Sequence, residues 1–406
     1  MPFVIFTAPW FTPGATQMIE AAASLPGVRL AVIAQDPLER LPAELQQRLA
    51  GHWRVDDVLD ANQLEHAVRH LTARHGAPHR LFGAFEQLQQ PLADVREALN
   101  LQGMRPATAR RFRDKAHMKD TLRAAGIPCA RHKLATNSDD AWRFVQEAGF
   151  PLVAKPPAGA GAKSTYRLDD DEALRDLLDR SPPTADDPML LEEFLVGSEH
   201  SFETISIRGR AVWHSLTHYY PTPLEVVEHP WIQWCVVLPR EVDEPQFDDI
   251  RDAGARALDA LGMDTGLTHM EWFRRKDGTL AISEVAARPP GAQITTMNSR
   301  AHDFDFVRAW TNVMINEEFD PPTRKYAVGT AFLRGQGEGR VRRVVGLDQV
   351  RQELGSLVTD WRLPFEGQTP TGSYEGEGFI VLRHPETAVV TEALSRLISV
   401  VRVELG

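Results

Sequence analysis

The first hundred residues alternate short apolar runs with amphipathic segments. Phe3–Thr7 and Val28–Ala34 are rich in β-branched and aromatic residues, and a helical pattern covers Ala15–Ser24 between them. Strand and helix signals keep alternating to about residue 100. This pattern is typical of a doubly wound α/β domain, because parallel strands must be joined by a crossover, which is usually a helix.

The first domain lacks the fingerprint of a dinucleotide-binding protein. A Gly-x-Gly-x-x-Gly turn should follow the first strand, and only Gly14 lies there. A nicotinamide- or flavin-dependent dehydrogenase is therefore disfavoured. The formal net charge of −11 also argues against a nucleic-acid or anionic-membrane partner, and it leaves room for a local basic pocket that holds phosphates.

Cysteine usage and the amino terminus indicate the cellular compartment. Cys129 and Cys235 are the only cysteines and belong to no Cys-x-x-Cys or zinc pattern, so we expect reduced thiols. The opening MPFVIFTAPW lacks a basic region and breaks at Pro9, which predicts a first strand rather than a signal peptide. The sequence has no run of about 18 apolar residues, so we expect no membrane span. We expect a cytoplasmic protein.

A hairpin in the second half of the chain carries two acids. Asp277-Gly278 predicts a two-residue turn, and counting back from that turn pairs Glu271 with Glu284. Opposed carboxylates have Cβ atoms roughly 5 Å apart and repel each other. A cation between them would make the pairing favourable, and Mg²⁺ typically takes one or two carboxylates together with water and phosphate oxygens. The alternatives are that both acids are solvated or that the register is shifted.

A glycine-rich loop follows an apolar strand in the middle of the chain. Lys155 ends the strand, the loop reads PPAGAGAKS, and Lys163 lies near its end. The glycines let the backbone approach an anion and offer N–H donors to it. The ending and the following helix of a Walker A loop are missing. The loop is therefore either a flexible lid over phosphates or a plain surface hairpin.

The order of these features resembles the ATP-grasp superfamily over nearly the whole chain. The matching features are Asp114-Lys115, the helix exit 124–128, Lys155 with its loop, Glu192-Glu193-Phe194-Leu195, Gly197-Ser198-Glu199, and Glu271 with Glu284 and Arg288. The resemblance implies an ATP-grasp fold of mixed α/β and α+β class. It implies a pre-ATP-grasp doubly wound α/β domain at 1–105, a first grasp part with a small α+β lid subdomain at 106–195, a second grasp part with the metal-binding hairpin at 196–320, and a strand-rich C-terminal subdomain at 321–406.

The resemblance also implies a role for each matching residue. The phosphates of ATP would contact Lys115 and Lys155 and would be covered by Gly159, Gly161, Lys163 and Ser164. Adenine would be held by Glu192, Glu193, Phe194 and Leu195, and the ribose hydroxyls by Glu199. Glu271 and Glu284 would bind Mg²⁺, with Mn²⁺ as a possible substitute. Lys155 and Arg288 would be catalytic, with Arg288 stabilising the transferred phosphoryl group or the substrate carboxylate.

One position departs from the family pattern. Ala286 stands where the family usually has an Asn that helps to hold a second Mg²⁺. Either water takes the place of the Asn oxygen, or His269, which the predicted register places opposite Ala286, substitutes in part. We favour water because neutral imidazole is a poor ligand for hard Mg²⁺. The number of metal ions is left open.

Enzymes similar to this chain phosphorylate a carboxylate with ATP, and an amine then attacks the acyl phosphate. The ending Glu284…Arg288-Pro289-Pro290-Gly291-Ala292 looks most like that of carboxylate–amine ligases close to the L-amino acid ligases, and the Gln-Val-Glu-His continuation of biotin carboxylase is missing. The resemblance therefore implies an ATP-dependent ligase with small-molecule carboxylate and amine substrates, an amino acid or dipeptide product among the possibilities, and a possible homodimer.

Two alternatives stay open beside the ligase. One is a catalytically reduced ATP-binding protein that acts as a sensor or partner-binding module, and the other is a biotin carboxylase-like enzyme. Candidate pocket residues for the substrates are the aromatic side chains Trp10, Tyr219, Tyr220, Trp231 and Trp234, together with His218. For any one of them we favour packing in a core or between domains.

Overall fold

A computed structural model describes residues 1–159, 164–229 and 231–406 of the chain. Its first domain has a parallel sheet in the strand order β3-β2-β1-β4, as predicted for a doubly wound domain. Residues of β1 alternate between two cores, with Val4 and Phe6 on one face and Phe3 and Ile5 on the other. The elements are β1 (Phe3–Ala8), α1 (Pro13–Ala23), β2 (Arg29–Ala34), α2 (Ala43–Arg48), β3 (Gly51–Arg54), α3 (Ala61–His75), β4 (Arg80–Gly83) and α4 (Gln89–Ala98).

A small α+β unit follows the first domain. Its four strands pair antiparallel in the order β5-β8-β6-β7. Two helices cover one apolar core, to which Phe144 and Leu174 contribute. The elements are α5 (Pro106–Arg113), α6 (Lys115–Ala124), β5 (His132–Ala135), α7 (Ser138–Ala148), β6 (Leu152–Lys155), β7 (Tyr166–Leu168), α8 (Asp171–Arg180) and β8 (Met189–Glu193).

The sequence predicts one helix over residues 108–125, and this prediction is wrong. Asp114 has extended backbone angles, φ −90° and ψ 105°, so α5 ends before it and α6 begins after it. Its side chain accepts hydrogen bonds from the N–H groups of Ala116 and His117, as an N-cap should. The break places Lys115 at the first residue of α6.

The rest of the chain forms an eight-stranded antiparallel sheet and a three-stranded sheet. The large sheet has the order β13-β12-β9-β10-β11-β14-β18-β17, and the small sheet has the order β15-β19-β16. The large sheet continues across residue 320, so the predicted third and fourth segments share it; the domain limits stay a prediction. The elements are β9 (Gly197–Ile207), β10 (Arg210–Tyr220), α9 (Pro223–Glu228), β11 (Cys235–Leu238), α10 (Asp248–Leu261), β12 (Gly266–Arg275), β13 (Leu280–Ala286), α11 (Ile294–His302), α12 (Phe306–Asn316), β14 (Ala327–Leu333), β15 (Gly335–Gln336), β16 (Val341–Val345), α13 (Leu347–Leu354), β17 (Val358–Arg362), β18 (Gly378–His384), α14 (Thr387–Val400) and β19 (Arg402–Leu405).

The β12–β13 hairpin pairs Glu271 with Glu284, as predicted, but for a different reason. The turn is one residue longer than predicted, because the N–H of Arg275 donates to the carbonyl of Thr279 and Gly278 takes a left-handed φ of 84°. A β-bulge at Ser283 then adds one residue to β13. The two errors in the predicted register cancel at the acids. Between turn and bulge the prediction is wrong: Trp272 faces Ile282 instead of Ser283, and Arg274 faces Leu280 instead of Ala281.

Two further findings concern the chain as a whole. Both cysteines are free. Across the described ranges, none of the helices combines the length and apolar character that a bilayer crossing demands.

Candidate active site

A cavity of about 880 Å³ lies where the first domain, the α+β unit and the large sheet meet. Its volume is in the range of pockets that hold small-molecule ligands. Ser164 does not line it, and Gly161 and Lys163 lie outside the described residues. The other predicted site residues all line it: Lys115, Lys155, Gly159, Glu192, Glu193, Phe194, Leu195, Glu199, Glu271, Glu284 and Arg288.

Lys115 joins two parts of the cavity wall. Its Nζ donates to Glu284 Oε1 at 2.8 Å and to the carbonyl of Gly159 at 2.8 Å. Its backbone N–H also donates to the carbonyl of Pro157 at 2.9 Å. The first turn of α6 therefore fixes the start of the glycine-rich loop and one of the two paired acids at the same time.

Lys155 belongs to a buried group of three charges. Its Nζ lies 3.0 Å from Glu192 Oε2, and Lys119 Nζ lies 3.3 Å from Glu192 Oε1. Burial raises the pKa of Glu192, but the two lysines outweigh this effect and hold that pKa below its usual range. Lys119 is fully buried, which lowers its pKa, and it also donates to the carbonyl of Ser283. The group therefore carries one net positive charge beside the cavity.

Lys119 is a residue that the sequence analysis missed. It lies four residues after Lys115, and this spacing places both lysines on one face of α6. The i, i+4 spacing was a usable signal, but a second lysine at that distance is more often solvated than buried.

The segment after β8 forms one edge of the cavity. Glu193 accepts from Arg131 Nε at 2.8 Å and from Arg275 Nη2 at 3.0 Å, so its side chain is held away from ligands by two cations. The N–H groups of Glu193 and Phe194 donate to the carbonyls of Arg131 and Pro151. Neither N–H is available to a base. Arg167 stacks its guanidinium over the Phe194 ring at 4.4 Å.

Three acids lie close together on adjacent strands of the large sheet. Glu199 pairs with Phe273 on β12, two residues from Glu271, which in turn pairs with Glu284. Burial and the charges of Glu271 and Glu284 raise the pKa of Glu199 well above its usual range. Burial also acts on Glu284, but Lys115 and Lys155 outweigh it and lower the pKa of Glu284 to about 2. The two lysines thus favour the ionised form of Glu284, whereas burial beside the other two acids favours the neutral form of Glu199.

The residues present fit a divalent cation. Glu271 and Glu284 offer four carboxylate oxygens from neighbouring strands and remain partly exposed to the cavity, 31% and 17%. Among the described residues no group of three or more His, Cys, Asp or Glu has the arrangement of a complete metal site. Two carboxylates are sufficient for Mg²⁺, because it completes its coordination with water and phosphate oxygens.

His269 is tied to the same acids. It faces Ala286 across the hairpin, as predicted. Its Nδ1 lies 2.8 Å from the fully buried Glu203 and its Nε2 lies 3.5 Å from Glu271. Glu203, a second residue that the sequence analysis missed, also accepts from the hydroxyl of Ser201 at 2.6 Å. His269 is therefore held by its hydrogen bond to Glu203, with its other ring nitrogen near Glu271, rather than directed freely into the space beside Ala286.

Arg288 follows the end of β13 and is held by the first domain. Its Nε donates to Glu86 Oε2 at 3.2 Å, and its Nη1 donates to the carbonyl of Pro289 at 3.0 Å. Glu86 lines the cavity and is also a residue that the sequence analysis missed. The available signal was an acid placed directly after an apolar strand of a doubly wound sheet.

The aromatic candidates separate into two groups. Tyr219 and Trp234 line the cavity, where their rings lie 5.4 Å apart. Tyr374, which the sequence analysis missed, adds a third ring 4.7 Å from Trp234. Outside the cavity lie Trp10, His218, Tyr220 and Trp231; Trp10 is 51% exposed and Trp231 is 64% exposed.

Comparisons with known proteins agree with this geometry. The ATP-grasp domain family matches residues 120–303. The alanine–anticapsin ligase of Bacillus subtilis is 25% identical over 55% of this chain and 51% of its own length. The L-arginine-specific L-amino acid ligase of Bacillus subtilis is 22% identical over 66% of each protein. The chain thus spans between half and two thirds of the length of these curated relatives.

A solved structure extends the likeness to the complete fold. The L-amino acid ligase from Bacillus licheniformis has a TM-score of 0.77, with 20% identity, and the match covers 100% of this chain and 99% of that one. At this identity the match shows the fold. It confirms the predicted combination of an α/β first domain, grasp parts and a strand-rich last part. Residues 120–303 of the chain therefore form an ATP-grasp domain.

Proposed function

We propose that the protein is an ATP-dependent ligase that phosphorylates a small carboxylate and joins the product to an amine. One observation carries the proposal: Lys115, Lys155, the paired Glu271 and Glu284, and Arg288 share one cavity. Phosphoryl transfer depends on positioning and on neutralising charge more than on covalent chemistry by the protein. The cavity supplies cations and metal-binding oxygens for that purpose. The ligase names of the curated relatives support the same reaction class.

Each of these residues has a separate role in the proposed reaction. Lys115 and Lys155 neutralise the phosphates of ATP, and the segment from Glu192 to Leu195 holds the adenine. Glu199 holds the ribose hydroxyls through its carboxyl group. Glu271 and Glu284 would hold Mg²⁺, which supplies charge neutralisation during the transfer. Arg288 stabilises the transferred phosphoryl group or the substrate carboxylate.

The test is ADP release in the presence of ATP, Mg²⁺ and pairs drawn from a library of amino acids and small carboxylates. At least one pair should stimulate ADP release above the rate with ATP alone, and a chelator should abolish it. Mass spectrometry should find a product that joins the two substrates with loss of water. If no pair stimulates ADP release while ATP still raises the melting temperature, the ligase proposal is wrong.

A second candidate is an ATP-binding protein with reduced catalysis. The observation that favours it is Ala286, which is 2% exposed and has no donor atom at a position beside both paired acids. This candidate requires ATP binding without substrate-stimulated turnover. The library assay therefore decides between the two candidates.

A further inference from the structure

We propose that Glu86 is a positioning residue that orients Arg288 for phosphoryl transfer; this inference rests on the proposed function. Glu86 lies in a short 3-10 turn, Glu86–Leu88, which follows β4 of the first domain. It is only 5% exposed, and it lines the cavity. A buried acid at the carboxyl end of a parallel strand lies where doubly wound domains place ligand-binding groups.

Each oxygen of Glu86 contacts a different arginine. Arg113 Nη1 donates to Oε1 at 2.9 Å, and Arg288 Nε donates to Oε2 at 3.2 Å. With its Nη1 on the carbonyl of Pro289, Arg288 has two of its three nitrogens fixed, and these two bonds set the plane of the guanidinium. Within the described ranges Nη2 contacts no protein acceptor, and it is the group left for a phosphoryl or carboxylate oxygen.

Charge explains why this support is needed. Arg113 and Arg288 are 20% and 19% exposed at the side chain, so their positive charges are poorly screened by solvent. Glu86 is the carboxylate that both of them share. Without its charge the two arginines repel each other. The bond from Arg288 to the carbonyl of Pro289 alone does not fix the plane of the guanidinium group. The first domain thereby contributes to a reaction centre whose other charged residues come from the rest of the chain.

The experiment compares Glu86→Gln with the wild type in substrate-stimulated ADP release. Glutamine keeps the size and removes the charge, so kcat should fall about ten- to hundredfold, the loss expected for one charged hydrogen bond. The KM for the carboxylate should rise, and the apparent affinity for ATP should stay within about twofold, because Lys115 and Lys155 are untouched. Glu86→Asp, which keeps the charge, should recover part of kcat. Glu404→Gln, which removes an exposed partner of Arg343, is the matched control and should behave as the wild type.

Two results would overturn the inference. A Glu86→Gln variant with the kcat and KM of the wild type would show that Arg288 needs no support from the first domain. A melting-temperature cycle of Glu86→Gln, Arg288→Met and the double variant needs no turnover, and it should be non-additive; additive shifts would show that the pair does not interact. A wild type that is inactive with every substrate would overturn the proposed function, and this inference with it. An active wild type with an unaffected Glu86→Gln overturns the inference alone.

Discussion

Glu284 lies among three positively charged side chains. Lys115 lies 2.8 Å away, and Lys155 and Arg288 add further positive charge. These cations outweigh the effect of burial and lower the pKa of Glu284 to about 2, which favours its ionised form. An ionised acid in a partly buried site is suited to binding a cation.

We expect Glu284→Gln to lose turnover and keep the fold. Glutamine retains the shape but removes the charge that would hold Mg²⁺, so the rate of stimulated ADP release should fall about a hundredfold or more. Circular dichroism and the melting temperature should change little. Asp277→Asn, in the exposed turn of the same hairpin, is the control. Turnover at the wild-type rate in Glu284→Gln would remove Glu284 from the proposed metal site.

Glu271→Gln tests the other half of the pair. We expect a higher Mg²⁺ concentration for half-maximal ADP release, because one of the two charged ligands is lost. A titration of Mg²⁺ at saturating ATP measures this directly. An unchanged Mg²⁺ dependence would count against the two acids acting together on one ion.

The contact of Lys119 with Glu192 leads to a separate prediction about the KM for ATP. Lys119→Met keeps the length and apolar stem of the side chain but removes one of two cations on Glu192. Lys155 is then drawn more tightly onto Glu192 and away from the phosphates, so the KM for ATP should rise about tenfold, the effect of roughly 1.4 kcal/mol. Steady-state kinetics with Lys276→Met, a lysine in the exposed turn, as control measures this. Equal KM values in the two variants would show that Lys119 is only structural.

At the level of elements, the start of α6 connects fold and site. Asp114 caps the helix whose first residue is Lys115, and Lys115 in turn contacts both Gly159 and Glu284. Helix propensity predicts one continuous helix over residues 108–125. The break at Asp114 was not predicted, because the cap signal of an Asp in a run of good helix formers is easily outweighed by their propensity.

Asp114→Ala should therefore affect stability and nucleotide binding together. Loss of an N-cap typically costs about 1 kcal/mol of unfolding free energy. We also expect weaker ATP binding, because the first turn that carries Lys115 frays. Chemical denaturation and ATP titration measure the two effects. Asp170→Ala, which removes the cap of α8, is a matched control that should lower stability without changing ATP affinity. If both variants bound ATP with equal affinity, the cap of α6 would have no influence on the ATP site.

At the scale of the whole molecule, the buried His200 and the partly buried His218 predict how stability depends on pH. His200 and His218 contact each other through their Nδ1 atoms at 2.6 Å. Burial lowers the pKa of His218 to about 4, and burial together with His218 lowers that of His200 to about 3. In the unfolded chain both would titrate near 6.5. Between pH 6.5 and 4 the unfolded state therefore binds more protons than the folded state.

The free energy of unfolding should consequently fall as the pH falls through this window. For His218 alone the loss is on the order of 3 kcal/mol. Thermal melts from pH 7 to pH 4 should show a smaller decline in His218→Asn than in the wild type, whatever the variant's stability at pH 7. His66→Asn, at an exposed position, should keep the wild-type decline. If the melting temperatures of His218→Asn and the wild type declined in parallel as the pH fell, the lowered pKa of His218 would be contradicted.

The order of motifs was sufficient to predict the fold class, because each motif occupies a fixed place along an ATP-grasp chain. Most of the site residues that it predicted line the cavity. The contact between Glu86 and Arg288 was beyond its reach, because 202 residues separate the two in sequence and only folding brings them together. Glu203 and Lys119 were missed for a related reason, since their partners are side chains on other elements and no local pattern marks a buried charge that is paired.

The longer turn and the β-bulge of the β12–β13 hairpin have a consequence for how this protein can vary. Each feature shifts the strands by one residue, and together they restore the pairing of Glu271 with Glu284. If the turn tightened to the two residues Asp277-Gly278 without a deletion, every pair would shift by one residue, and the acids would stay aligned only if β13 lost its bulge at Ser283. Related chains can thus exchange turn type for strand irregularity in compensated steps, and an engineer who changes this turn to a two-residue type must straighten β13 in the same design.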